Sequence, residues 1–141
     1  MENRIRPIAI CIFSNNGRIL VAEGYDSVKQ QTFYRPLGGS IEFGERGEET
    51  IRRELEEELD AEVDNLKYLG MAENIFTYQG ERGHEIVLIY DGKFADKSFY
   101  EREMLEGDEF GLPFQAVWKR LDEFGPGKAP LYPEQLLELL N

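Results

Sequence analysis

Cysteine, histidine and tryptophan occur once each in this 141-residue chain. A single cysteine, Cys11, excludes an intramolecular disulfide and suits a reducing compartment, so a cytoplasmic location is expected. With Cys11 in an apolar run it reads as a buried thiol, and His84 alone cannot build a histidine-based metal site. Basic residues are also scarce: 16 Lys and Arg stand against 28 Asp and Glu, a net charge of −12. That balance argues against nucleic-acid polymers and anionic membranes as partners, which require basic surface to displace counterions. No apolar run approaches the length of a membrane span, and the opening MENRIRPIAICIF lacks the layout of a signal peptide. What remains is an ordinary globular balance, 41% hydrophobic and 31% charged. At this length one domain over residues 1–141 is expected, large enough for a core without staples.

The patterning is that of alternating strands with two helices. Ile8, Ile10 and Ile12 alternate as in a half-buried strand, and Asn15-Asn16-Gly17 predicts a hairpin turn before Arg18–Ala22. Leu66–Tyr78 and His84–Phe94 read as strands separated by the turn residues Gln79–Gly83. Asp96–Leu112 reads as a long acidic loop with room for a helical turn, and Phe114–Leu121 returns to strand. Tyr132-Pro133-Glu134 opens a short terminal helix with Pro133 at its first position and Leu136, Leu137, Leu139 and Leu140 behind it. No repeat, low-complexity tract or linker divides the chain, and the order of elements predicts a mixed sheet flanked by helices.

The most informative stretch is GSIEFGERGEETIRRELEEELDA, from Gly39 to Ala61, with a helix predicted from about Gly47 to Leu59. At ~100° per residue, Glu54, Glu57 and Glu58 fall within an arc of roughly 100°. Ile51, Leu55 and Leu59 form the neighbouring stripe that docks on a core. The helix start is poorly capped by Arg46, although Glu48 and Glu49 suit the positive end. Three carboxylates at such spacing repel by a few tenths of a kcal/mol per pair, whereas a hard divalent cation would be ligated by them.

These residues closely resemble the Nudix box, G-x5-E-x7-R-E-U-x-E-E-x-G-U, where U is a bulky aliphatic residue. Gly39, Glu45, Arg53, Glu54, Leu55, Glu57 and Glu58 all occupy their positions. Asp60 replaces the final glycine and Ala61 the final aliphatic residue. Asp tolerates the positive φ a helix end often needs, and neither change removes a carboxylate of the motif.

The resemblance implies a Nudix-type α/β/α sandwich with a mixed β-sheet. It implies an Mg²⁺- or Mn²⁺-dependent hydrolase that cleaves a phosphoanhydride in a nucleoside diphosphate linked to a further group, or in a similar small phosphorylated metabolite. By that resemblance Glu54, Glu57 and Glu58, with the Gly39 carbonyl, are the expected metal ligands, and Glu57 and Glu54 are expected in catalysis. Arg53 is expected to orient the carboxylates, within reach of Glu45. A general base from a distal loop is expected at Glu106, with Asp108 and Glu109 next. Substrate contacts are expected from Arg35, beside the glycine loop, and from Tyr34 and Tyr78 as aromatic platforms, with Phe76 and Tyr100 as further aromatics. The expected partner is a small nucleotide-like phosphorylated molecule, and a homodimer is compatible. A catalytically silent ligand-binding Nudix domain is the alternative; it usually carries eroded box carboxylates or an attached DNA-binding region, whereas Glu54, Glu57 and Glu58 are intact and no second domain is expected. Prenyl-diphosphate isomerisation would need a catalytic cysteine, for which Cys11 lies far from the box, and RNA decapping lacks its basic surface.

Overall fold

Ile8, Ile10 and Ile12 turn to one face of strand β1 (Ile5–Ile12), Ala9 and Cys11 turn to the other, and both faces are buried. The architecture is that of a computed structural model, which describes residues 3–140. β1 is followed by β2 (Ser14–Asn15), β3 (Arg18–Asp26), β4 (Gln31–Arg35) and β5 (Leu37–Ser40). The β2–β3 turn places Asn16 and Gly17 at φ of 53° and 76°, the left-handed pair that a two-residue hairpin requires. Helix α1 (Gly47–Leu59) comes next, then a long hairpin of β6 (Val63–Tyr78) and β7 (Glu81–Phe94). β8 (Met104–Glu109), β9 (Leu112–Arg120) and the short helix α2 (Leu136–Leu140) complete the order.

The strands form a mixed four-stranded sheet ordered β5-β1-β7-β6, in which β1 and β7 are parallel. A second, antiparallel sheet runs β2-β3-β9-β8, with β4 pairing the end of β3 along the same edge as β2. Two cores result. Ala9, Cys11 and Phe13 pack with Ile51 and Leu55 of α1, while Ile8, Ile10 and Ile12 pack with Val87, Ile89 and Leu136 of α2. Helices thus cover opposite faces of the strands, the α/β/α layering expected.

Two sequence expectations are corrected. The segment Asp96–Leu112 is not a long loop: a 3₁₀ turn spans Lys97–Glu101, and β8 pairs with β9 across a tight Phe110-Gly111 turn. Leu105 and Gly107 alternate inward there, a strand signal masked by the surrounding charge. The terminal helix begins at Leu136, not at Pro133; the Leu136 N–H closes a turn onto the Pro133 carbonyl. No helix among the described residues is long and apolar enough to cross a membrane.

Candidate functional site

Helix α1 is held at both ends by features its sequence carries. Its first turn is closed by the Glu49 carboxylate, which accepts the Arg46 backbone N–H at 3.0 Å. Its last turn ends at Asp60, in the left-handed region at φ 53° and ψ 40°, with the Asp60 N–H bonded to the Glu56 carbonyl. Ile51 and Leu55 are fully buried, each contributing about 1.5–3 kcal/mol of hydrophobic stabilisation. That anchoring fixes the acidic edge of the helix against β5.

The glycine pair on β5 has two separate steric reasons. A Cβ at Gly38 would overlap the Ala9 backbone of neighbouring β1. A Cβ at Gly39 would overlap the Glu54 carboxylate, lying 2.6 Å from its Oε1. The missing side chain at Gly39 is therefore the cradle in which Glu54 sits.

Arg53 organises the loop before the helix. Its Nε and one terminal nitrogen donate to the two oxygens of Glu45 at 2.7 and 3.0 Å, and the latter nitrogen also donates to the Ser40 carbonyl at 3.0 Å. The other terminal nitrogen donates to Glu54 Oε1 at 2.9 Å and Glu57 Oε2 at 3.3 Å. Glu45 further accepts from the Thr50 hydroxyl and the Glu42 N–H. These bonds, led by that from Arg53, hold the Glu45 carboxyl down at about 2.

Glu58 is the opposite case. It is 8% exposed, and among the described residues its Oε1 is buried without a hydrogen-bond partner. Burial pushes its carboxyl well above the ordinary range, and hydrogen bonding and charge from Glu54, then the charges of Glu109 and Glu57, push the same way. An orphaned buried carboxylate oxygen beside other carboxylates is the environment a cation would relieve.

These groups face a cavity of about 500 Å³ whose lining includes seven glutamates and three arginines. Glu54, Glu57, Glu58 and Gly39 line it, as do Arg53 and Arg35. All the donors are oxygens, which fits a hard divalent ion, and the orphaned Glu58 oxygen and the Gly39 cradle fit it too. No three His, Cys, Asp or Glu side chains among the described residues stand as a preformed metal cage. Arg53 instead engages Glu54 and Glu57, so ligation would require Glu57, which is 56% exposed, to swing.

Other expected residues divide. Glu106 points away from the cavity on the exposed face of β8, as does Asp108; Glu109, in phase with Leu105 and Gly107, lines it. The distal carboxylate at this site is Glu109, not Glu106, because strand alternation rather than a loop sets the side chains. Tyr34 does not line the cavity either: its ring packs on Phe124 and under Lys119, and its backbone bonds Pro130 and Tyr132. Tyr100 is likewise structural, its hydroxyl accepting the Phe94 N–H at 2.9 Å. Arg35 lies between the acidic cavity and an adjoining one of about 310 Å³, which holds Tyr78, Phe76, Phe33 and Tyr132. Cys11 is buried with its thiol pushed up by burial. His84 borders a shallow hollow with Ile5 and Ile75, away from the acidic cavity.

Sequence reasoning missed Phe33, Tyr132, Asn74 and Glu85, all of which line the smaller cavity. One of them left a signal: Glu85 falls in phase with Val87 and Ile89, a lone acid on the buried face of β7.

The NUDIX domain model matches residues 3–139, and the chain belongs to that family. It is 40% identical over 65 residues to the human mitochondrial NAD(P)H pyrophosphatase NUDT13, covering 46% of this chain and 18% of that protein. It is 34% identical over 67 residues to the NAD-capped RNA hydrolase NudC of Pseudomonas syringae pv. tomato, covering 48% of this chain and 23% of that one. The chain thus matches about a fifth of the length of these curated relatives. In fold it is similar to the crystal structure of a MutT NUDIX hydrolase from Burkholderia pseudomallei, with a TM-score of 0.70 and 19% identity over 99% of this chain and 100% of that one.

Proposed function

We propose that the protein is a divalent-metal-dependent pyrophosphohydrolase that cleaves a phosphoanhydride bond in a small nucleotide-like substrate by water attack at phosphorus. The single observation that carries this reading is the buried, unpartnered Glu58 oxygen beside Glu54, in a cavity where carboxylates outnumber guanidinium groups. A solvated acidic surface would not bury that oxygen.

Glu54, Glu57, Glu58 and the Gly39 carbonyl would hold Mg²⁺ or Mn²⁺. The chemistry a divalent cation supplies at such a site is charge neutralisation on the pyrophosphate and acidification of the attacking water. Arg53 keeps Glu54 and Glu57 on the cavity side and ties the preceding loop to the helix. Glu109 accepts the proton from water, since it reaches the cavity from the β8–β9 hairpin, close enough for its charge to act on Glu58. Arg35 binds phosphate oxygens where the two cavities meet, and Tyr78 with Phe33 and Phe76 provides an aromatic wall for a planar group.

The relatives named above act on NAD(P)H and NAD-capped RNA, which supports a nucleotide diphosphate as substrate class. The test is phosphate or nucleotide release from nucleotide sugars, dinucleotides, dinucleoside polyphosphates, nucleoside triphosphates and non-nucleotide diphosphates, with Mg²⁺, Mn²⁺ or EDTA. Metal-dependent cleavage of at least one class is expected. Binding without turnover across the panel would favour a silent ligand-binding domain.

A further inference from the structure

Glu85 is a buried carboxylate with too few donors. It is 2% exposed, on β7 in phase with the core residues Val87 and Ile89. A carboxylate offers about four lone-pair sites, and buried ones are normally filled. Among the described residues Glu85 receives a single hydrogen bond, from Asn74 Nδ2 on the neighbouring strand β6, and at 3.4 Å it is long. Arg6 and Arg35 each stand 3.8 Å from one of its oxygens, within ion-pair range but beyond hydrogen-bond range. Their charge balances Glu85 and disfavours a second cation there, yet leaves its lone pairs open. Glu85 borders the open cleft, where water can fill those lone pairs, so a ligand that displaces the water would bring N–H or O–H donors without bringing charge.

Position along the cleft narrows the donor. Glu85, Arg6, Phe33 and Arg35 line both the acidic cavity and the aromatic one, so Glu85 stands at their junction. On one side lie Glu54, Glu57 and Glu58. On the other, Phe33 meets Tyr78 edge-on and Tyr132 at a tilt, each with ring centroids 5.7 Å apart. A substrate with its phosphates at the acidic end and a planar base among the rings must lay the group that joins them across Glu85. In a ribonucleotide that group carries two adjacent hydroxyls. They can donate to the two Glu85 oxygens, and one can accept from Asn74.

We infer that Glu85, held by Asn74, is a specificity-determining residue that reads the vicinal diol of a ribose, selecting ribonucleotide over deoxyribonucleotide diphosphates. This rests on the hydrolase reading above. The test compares kcat/KM for paired ribo and 2′-deoxyribo forms of one nucleoside diphosphate compound, in Mg²⁺, for wild type, Glu85→Gln and Asn74→Ala. Wild type should favour the ribo form by about tenfold to a hundredfold, the effect of one hydrogen bond to a charged group. Glu85→Gln should erase most of that preference by slowing the ribo form, with the deoxy form changed by less than about threefold. Asn74→Ala should shrink the preference in the same direction, and the wild-type ratio needs no variant to fold. Equal wild-type rates on the pair, or a Glu85→Gln variant that slows both forms by one factor, would overturn the assignment. So would cleavage of other phosphoanhydrides with neither member of the pair touched. Failure to cleave any phosphoanhydride would instead overturn the hydrolase reading itself.

Discussion

Arg53 and Glu45 are joined by two hydrogen bonds, at 2.7 and 3.0 Å, that span the loop between β5 and α1. The pair is the hub of a network reaching Ser40, Thr50, Glu54 and Glu57, and both side chains are largely shielded, at 23% and 18% exposure. Planar, bidentate geometry of this kind is what arginine offers and lysine does not. Arg53→Lys should therefore destabilise the protein by about 1–3 kcal/mol, because Glu45 keeps its charge and loses half its donors. Urea unfolding measures this, and a change within error would remove the hub role.

Gly39→Ala separates folding from function. The added methyl would displace the end of a flexible side chain, Glu54, rather than backbone. Stability should change by less than about 1 kcal/mol. Turnover should fall about a hundredfold, as a misplacement of about 1 Å can cost that much. An active Gly39→Ala enzyme would show that Glu54 is not needed where it sits.

The raised Glu58 carboxyl has a stability consequence in metal-free protein. Its folded value lies above the ordinary 4.5, so its contribution is full below that pH and is lost as pH rises toward the folded value. Thermal stability in EDTA should decline from about pH 5 upward through neutrality, and Glu58→Gln should flatten that decline. Millimolar Mg²⁺ or Mn²⁺, matched in ionic strength, should restore stability to wild type and much less to the variant, as binding to the folded state alone requires. A wild-type profile identical to that of Glu58→Gln would remove the strained carboxylate from the site.

Glu109 and Glu106 occupy opposite faces of one strand, which makes them mutual controls. Glu109→Gln should lower kcat by about a hundredfold or more with KM little changed, and the acidic limb of the pH–rate profile should vanish. Glu106→Gln should leave kcat within about twofold. If Glu109→Gln retains kcat and the acidic limb, the proton goes to Glu54 or Glu57 instead.

How far the sequence alone reaches follows the range of its signals. Helix α1 was legible to the residue at both ends, since its periodicity, its acidic first turn and the Asp60 stop are local. The Glu45–Arg53 link was legible from spacing in the motif. The β8–β9 hairpin was not, because its acidic residues resemble a loop until Leu105 and Gly107 are seen to face the core. Read as a loop, the segment favours Glu106 with Asp108 and Glu109 next; paired as a strand, it turns Glu109 toward the cavity. Tyr34 illustrates the same limit: an aromatic on a strand has two faces, and only long-range packing on Phe124 decides between core and cleft. The Asn74–Glu85 pair depends on β6–β7 register, which no local window contains.

The central claim is that the acidic edge of α1 cleaves phosphoanhydrides with a divalent ion. Its most direct measurement is single-turnover cleavage of the best substrate from the panel by wild type and Glu57→Gln, each with Mg²⁺ and with EDTA. The expected result is metal-dependent cleavage by wild type, a rate lower by about a thousandfold or more in Glu57→Gln, and equal thermal stability of the two metal-free proteins. A Glu57→Gln protein that cleaves at the wild-type rate, or a wild type indifferent to EDTA, would contradict it.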